Sequence, residues 1–215
     1  MPKMVAYLKK AGVIIKTSEE VLEMSVSNGK ISDVKTTKHV YKPDEVVLAA
    51  GSWSGELSKK LNLKLPLQAG KGYRINVERE TGISMPAILM EAKMAVTPMK
   101  GFTRFAGTME FSGINKKIRK ERVHAIANGA KSFYPELEIH QEEIDRAQTG
   151  MRPVSPDGLP YIGKSDTYSN LTIATGHAMM GWSLGPATGK LVSEIIDGKK
   201  TSMSIDAFLP SRKFT

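Results

Sequence analysis

The spacing of hydrophobic positions along this chain changes several times, and each change marks an element. Residues 5–10 have helical spacing and stop at Ala11-Gly12, which predicts the end of a helix. Val13-Ile14-Ile15 is a continuous apolar run and predicts a short buried strand. Residues 21–27 and 30–38 alternate as strands do, and Asn28-Gly29 joins them. Asn-Gly supplies positive φ at both centres of a type I′ turn, so the two runs predict a β-hairpin. Beyond the charged link Lys42-Pro43-Asp44-Glu45, the run Val46-Val47-Leu48-Ala49-Ala50 predicts a strand buried on both faces, ended by Gly51.

From Leu67 the texture changes. Residues 73–78, 87–90, 94–97 and 103–108 predict strands of a separate, largely antiparallel sheet. An amphipathic helix follows, with Ile118, Val123, Ile126, Ala130 and Phe133 on its apolar face, and it ends near Tyr134-Pro135 because proline cannot continue it. The stretch after Gly150 is rich in glycine and proline until a second buried strand, Leu171-Thr172-Ile173-Ala174. A last helix is predicted over 184–196, with Ser183 as N-cap and Gly198 past its end. The strands at 46–50 and 171–174 are each followed by a glycine and an unusual loop. Open α/β sheets bind ligands just beyond the carboxyl ends of their strands. Two such ends separated by a different sheet predict a nucleotide-type domain interrupted by a substrate domain, with segments 1–66, 67–148 and 149–215.

Composition narrows the function classes. With 215 residues, 40% hydrophobic and 25% charged, the chain has the make-up of an ordinary globular protein able to bury a sizeable core. No apolar stretch approaches a membrane span, and Met1-Pro2-Lys3-Met4 opens no secretory signal. The absence of cysteine excludes disulfides, thiolate metal sites and cysteine nucleophiles, and it fits a reducing, cytoplasmic setting. Part of the +9 net charge sits in Lys116-Lys117-Ile118-Arg119-Lys120-Glu121-Arg122. The first reading of that run is the solvated face of the amphipathic helix. Peripheral contact with an anionic inner-membrane surface comes next. Nucleic acid comes last and is not expected as a partner, because no stacking aromatics interleave with the basic residues.

Three segments carry candidate chemistry. In Val47-Leu48-Ala49-Ala50-Gly51-Ser52-Trp53-Ser54, small residues after a strand let backbone approach a ligand, although such strand ends also serve packing. In Gly150-Met151-Arg152-Pro153-Val154-Ser155-Pro156-Asp157, the prolines predict a stiff loop that holds Arg152. Its guanidinium fork matches a carboxylate, either that of a ligand or a structural partner such as Asp157. The third segment, Thr175-Gly176-His177-Ala178-Met179-Met180-Gly181-Trp182-Ser183, runs from a strand end into a helix start, whose unpaired N–H groups favour an anion. There His177 is either a base or a hydrogen-bonded turn residue, and Met179, Met180 and Trp182 pack either on a cofactor or in core.

In their order and spacing, together with Gly70-Lys71-Gly72-Tyr73, these segments resemble the carboxy-terminal two-thirds of the FAD-dependent D-amino-acid oxidase and dehydrogenase superfamily, which includes glycine and sarcosine oxidases. The third segment is most similar to bacterial D-amino-acid dehydrogenases. The resemblance implies an α+β/α/β fold in which an incomplete Rossmann-like FAD-binding domain (1–66 and 149–215) is interrupted by a mainly antiparallel substrate domain (67–148). It implies FAD as cofactor. Val21 would lie by the adenine, Ala50, Gly51 and Trp53 beside the cofactor, and Gly176, His177, Met179, Met180, Gly181, Trp182 and Ser183 along the isoalloxazine. The positive end of the last helix would face the flavin N1 and C2 carbonyl, where charge accumulates on reduction. Arg152 would anchor the substrate carboxylate and Tyr73 would line the pocket. The implied reaction oxidises the CH–NH bond of a D-amino acid by hydride transfer to flavin N5, giving an imino acid that water hydrolyses, with a quinone or another carrier as electron acceptor. No metal or catalytic side-chain nucleophile is implied.

Two departures refine the expectation. No strand, Gly-x-Gly-x-x-Gly turn and helix for the pyrophosphate occurs in this sequence; Gly70-Lys71-Gly72 precedes a strand and opens no helix, so it is rejected as that fingerprint. A family member would carry roughly 200 residues ahead of this chain, on typical domain sizes. Second, where glycine oxidase has an arginine after its Gly-His and a pocket tyrosine, this chain has Met179 and Ala95, which favours a larger or more apolar substrate than glycine. The alternatives are a glycine, sarcosine or D-hydroxyproline oxidase or dehydrogenase of the same fold, or a non-catalytic binding module. Without the fingerprint, the polypeptide by itself is expected to bind FAD poorly; its purification with stoichiometric yellow flavin would overturn that.

Overall fold

The computed structural model describes residues 2–214. The chain opens with helix α1 (Pro2–Lys10), followed by β1 (Val21–Ser27), β2 (Lys30–Thr36), β3 (Val40–Tyr41) and β4 (Val46–Leu48). A 3-10 turn (Gly51–Trp53) and α2 (Ser54–Lys60) lead into β5 (Gln68–Val77), β6 (Ala87–Leu89), β7 (Met94–Met99) and β8 (Phe102–Phe111). Then come α3 (Lys120–Phe133), α4 (Gln141–Asp145), β9 (Gln148–Val154), β10 (Tyr161–Lys164), β11 (Leu171–Thr175) and α5 (Gly181–Ile196). The strands form three sheets, in the orders β1-β2-β3, β10-β11-β4 and β6-β7-β8-β5-β9.

The five-stranded antiparallel sheet has two unlike faces because its strands alternate, with one register shift where β8 faces Gly72. Tyr73, Ile75 and Val77 of β5, Met94 and Val96 of β7 and Phe105 of β8 form one core with Val123, Ile126 and Ala130 of α3. Each such buried aliphatic side chain contributes about 1.5–3 kcal/mol. Lys71 points to this same face, 1% exposed, and its ammonium is satisfied by Glu110 (2.7 Å), Asn115 Oδ1 (2.9 Å) and the Lys117 carbonyl (2.8 Å). Hydrogen bonds from Lys71 and Ser112 hold the Glu110 carboxyl down at about 2. The second core lies between the two smaller sheets and gathers Met24, Ile31, Leu48, Leu61, Tyr161, Leu171 and Ile173. The Asn170 amide ties those sheets together, accepting from Ile31 N–H (2.8 Å) and donating to Ile31 C=O (3.0 Å).

The Asn28-Gly29 hairpin is present, with both residues at positive φ. Several expectations are corrected. Val13-Ile14-Ile15 is not a strand, and Ile14 is 79% exposed; a β-branched run becomes a strand only where it finds a pairing edge. The strand expected over 46–50 ends at Leu48 and is not buried on both faces: β4 pairs only with β11 and Val47 stays exposed. Lys116–Arg119 precede α3, and Ile118 and Phe133 are exposed instead of joining its apolar face. Helix α5 starts at Gly181 with Met180 as N-cap, so Ser183 lies inside the first turn and caps nothing. Arg152 sits on strand β9, not in a stiff loop; Pro153 is tolerated because β9 is an edge strand, whose outward N–H has no partner to lose. Since β9 pairs with β5 along its length, residues 149–154 belong by hydrogen bonding to the antiparallel sheet. Strand β10 and the short β3 and α4 lacked the length or periodicity to be predicted.

Ahead of β1, the Glu19 carboxylate accepts from Thr36 Oγ1 (2.6 Å), His39 Nδ1 (2.9 Å) and Tyr41 OH (2.8 Å), closing the β2–β3 corner. These donors, Thr36 first, lower its pKa from 4.5 to about 2. A carboxyl depressed on folding stabilises above its unfolded pKa and loses that contribution as pH falls through the folded one. Thermal melts should therefore show the protein losing more stability between pH 4.5 and 2 than Glu19→Gln, whose curve should be flatter across that window.

Candidate functional site

Parallel pairing of β4 with β11 sets Leu48 against Ile173 and brings the two carboxyl ends side by side. The chain turns away from both through glycine, Gly51 at φ +54° and Gly176 at φ +86°. A Cβ on Gly176 would stand 3.1 Å from the Tyr161 ring, so close packing as well as the backbone requires glycine there. Thr175 Oγ1 donates to the Gly51 carbonyl (3.2 Å) and accepts from Ser54 Oγ (3.0 Å), tying the loops together.

Around these ends the structure gathers most of the predicted cofactor residues. Ala50, Gly51 and Trp53 follow β4, and Gly176 to Ser183 follow β11 into the first turn of α5. Trp53, Met179, Met180 and Trp182 are all exposed, Trp182 to 74%, so they do not fill core. Val21 is more distant in the chain, on β1, but packs on the same core as Ala50. The His177 ring meets Thr188 Oγ1 of α5 at 2.9 Å, and burial holds its pKa below the ordinary 6.5. It is a turn residue bonded to a helix hydroxyl. Large uncovered apolar side chains beside two strand ends and a helix start suit a flat aromatic ring carrying anionic character, and the residues present fit a flavin.

The link to the antiparallel sheet is a backbone hydrogen bond. Ala178, at φ +47°, donates its N–H to the Pro153 carbonyl at 2.9 Å, and His177 bridges Val154. Arg152 is the next residue along β9. In register it pairs with Gly70, so its side chain shares the face of Gly70, Gly72, Arg74 and Asn76, opposite the α3 core. The guanidinium lies across Gly72, half-buried, and makes one long hydrogen bond, Nη1 to Thr108 C=O at 3.5 Å. Among the described residues no carboxylate pairs with it, and burial alone lowers its pKa. Asp157, the alternative structural partner, belongs to Arg212, whose Nε and Nη2 bind it at 2.8 and 2.9 Å and whose guanidinium stacks on Tyr161.

Tyr73 is not beside Arg152. Its odd position in β5 turns it to the α3 face, where it is 1% exposed in the core. The residues that do share the Arg152 face were missed in the sequence: Arg74, bonded to Gln148, Arg104, bonded to Asn76, and Met109, packed over Gly70. Ala95 pairs with Ala106 on this same face. Burial first, then the nearby Arg74 charge, lowers the Arg104 pKa, so the face is cationic. A cleft of about 810 Å³ lies between α2 and residues 111–114. It contains no predicted site residue.

The family model described as FAD dependent oxidoreductase, DAO, matches residues 1–195. A D-amino acid dehydrogenase of Vibrio atlanticus is 31% identical over 207 residues, covering 92% of this chain and 48% of its own length. A glycine oxidase of Pseudomonas aeruginosa is 31% identical over 182 residues, covering 85% and 50%. Among solved structures, glycine oxidase from Geobacillus kaustophilus superposes with TM-score 0.84 at 22% identity, over 96% of this chain and 55% of that one. The chain thus spans about half the length of the curated relatives it matches.

Because its folded pKa is depressed, His177 stabilises the protein above pH 6.5 and loses that contribution as pH falls. An NMR titration should place its midpoint below 6.5. Thr188→Val, which leaves the ring nitrogen unpaired, should cost about 1–3 kcal/mol in denaturant unfolding at neutral pH.

Proposed function

This chain belongs to the DAO family of FAD-dependent oxidoreductases, and from that membership we propose that it supplies the substrate-anchoring sheet and part of the flavin-contacting surface of an enzyme oxidising a D-amino acid. The observation that carries the proposal is the Arg152 guanidinium, half-buried on the open sheet face with one long bond to backbone and no carboxylate partner among the described residues. A half-buried fork with few protein partners is open to a ligand, and a planar carboxylate satisfies two of its N–H groups at once. Pairing with Arg152 would select a substrate that carries a carboxylate, as an amino acid does.

The chain's own groups act by binding and orientation. Arg152 would hold the carboxylate, and the Ala178–Pro153 bond sets that point against the loop of Met179 and Met180. Ala50 to Trp53 and Gly176 to Ser183 would hold the flavin, their apolar side chains excluding water from its ring. When bound, FAD supplies the two-electron oxidation that converts the amine to an imine. His177, bonded to Thr188, takes no proton-transfer role in this scheme. The small Ala95 and Ala106 and the apolar Met109 on the same face leave room for a substrate side chain larger than that of glycine. The electrons would pass on to a quinone or another carrier. Among the described residues no helix is long and apolar enough to cross a membrane.

The test is Arg152→Ala in the flavin-loaded enzyme, assayed on a panel of D-amino acids with an artificial electron acceptor. Loss of a charge-assisted pair should lower kcat/KM by roughly 100-fold or more for every carboxylate substrate. Unchanged kcat/KM would remove the anchoring role.

A further inference from the structure

Gly70-Lys71-Gly72 lies within β5 and opens no helix, and the fold gives it different work. Its three residues alternate across β5: Lys71 faces the α3 core, locked to Glu110, and the two glycines face the open side. An ideal Cβ built on Gly72 would overlap Nη1, Cζ and Nη2 of Arg152, and one on Gly70 would strike Met109 Sδ at 2.7 Å and Val154 Cγ2 at 3.0 Å. Neither glycine has a positive φ. Here the missing side chain serves packing alone, because the space a Cβ needs is filled by a guanidinium and a thioether.

The strand opposite is shaped to match. Lys71 pairs with Glu110, yet Tyr73 pairs with Gly107, so Thr108 and Met109 together face Gly72. This is a β-bulge, which inserts a residue and re-aims the backbone around it. Its residue Thr108 sits at φ +57°, an outlier for a β-branched side chain, and its buried Oγ1 has no hydrogen-bond partner among the described residues. The carbonyl of this strained residue accepts the Arg152 N–H. The buried Lys71–Glu110 pair stands next to the bulge on the other face and holds the register there.

We propose that Gly72, with the Thr108 bulge facing it, is the positioning element that seats the Arg152 guanidinium flat against β5 and so fixes where and at what angle a substrate carboxylate binds. This deepens the reading of Arg152 as the carboxylate anchor and rests on it for its functional meaning. The seat itself is a statement about geometry. Gly72 touches no substrate; it acts through Arg152.

Because Gly72 and Arg152 compete for one volume, the seat predicts a specific coupling that a merely structural glycine would not show. In the full chain, Gly72→Ala should push the Arg152 guanidinium aside; this is the end of a flexible, half-exposed side chain, so the loss of Tm should be small, and it should vanish in an Arg152→Ala background. If Gly72→Ala alone fails to fold, recovery of folding in the double variant supports the seat as strongly. Arginine Nε–H NMR, with the Arg152 resonance assigned by its loss in Arg152→Lys, should show that resonance shifted in Gly72→Ala and unmoved in Gly70→Ala. Titration with D-leucine should perturb the same resonance, with at least tenfold weaker binding in Gly72→Ala. Equal cost of Gly72→Ala in both backgrounds, or an unmoved Arg152 resonance, overturns the seat whatever the substrate. Absence of D-leucine binding, or binding unaffected by Arg152→Ala, overturns the anchor reading while the thermal cycle still decides the seat.

Discussion

The arrangement depends on one backbone hydrogen bond, from the Ala178 N–H to the Pro153 carbonyl. With the His177–Val154 bridge beside it and the Gly51–Trp53 turn packed against β9, it fixes how the antiparallel sheet meets the strand-end loops. It is possible because β9 is an edge strand whose outer carbonyls are free, and because Ala178 accepts a positive φ that turns its N–H outward. The proline at 153 contributes twice: it has no N–H to leave unsatisfied at that edge, and its ring restricts the backbone beside Arg152. Binding of two reactants in one geometry demands such a fixed relation, since misplacement by about 1 Å can cost two orders of magnitude in rate.

Around this joint the parity of β5 separates a core face under α3 from an open face that carries Arg152. The odd positions supply the hydrocarbon core under α3, and the buried ion pair of Lys71 and Glu110 joins them with its donors satisfied. The even positions carry two glycines and Arg74, and Arg104 of β8 and Arg152 of β9 share their face. A cationic surface is tolerable there because the face is open to solvent; Arg74 and Arg104 are each bonded to a neutral amide, and only Arg152 is left with most of its donors unused.

Much of this was legible in the residues, and the exceptions have physical causes. The Asn28-Gly29 hairpin and the alternating strands of the antiparallel sheet were read correctly because their signals are local, a turn chemistry and a period of two. Val13–Ile15 and the far edge of β4 were misread because an apolar run states a need for cover without stating that cover is present in the chain. Arg152 was singled out from its residue type and setting, whereas Tyr73, expected to line the pocket, lies in the α3 core. Only the cross-strand register, which sets Arg152 against Gly70, decides which face each β5 residue takes. The role of Gly72 was hidden for the same reason, as its neighbour in space is 80 residues away in sequence. The bulge at Thr108 leaves no mark in composition at all.

The parity of β5 also governs which changes of length this protein can absorb. Deleting one residue within Gln68–Val77 would turn Arg74 into the hydrocarbon layer and Ile75 toward water, exchanging every later position at once. A lengthened tip at Lys100-Gly101, where β7 hands over to β8, displaces no paired residue. Drift in this lineage should therefore accumulate as insertions at the hairpin tips, while the strand bearing the two glycines keeps its residue count.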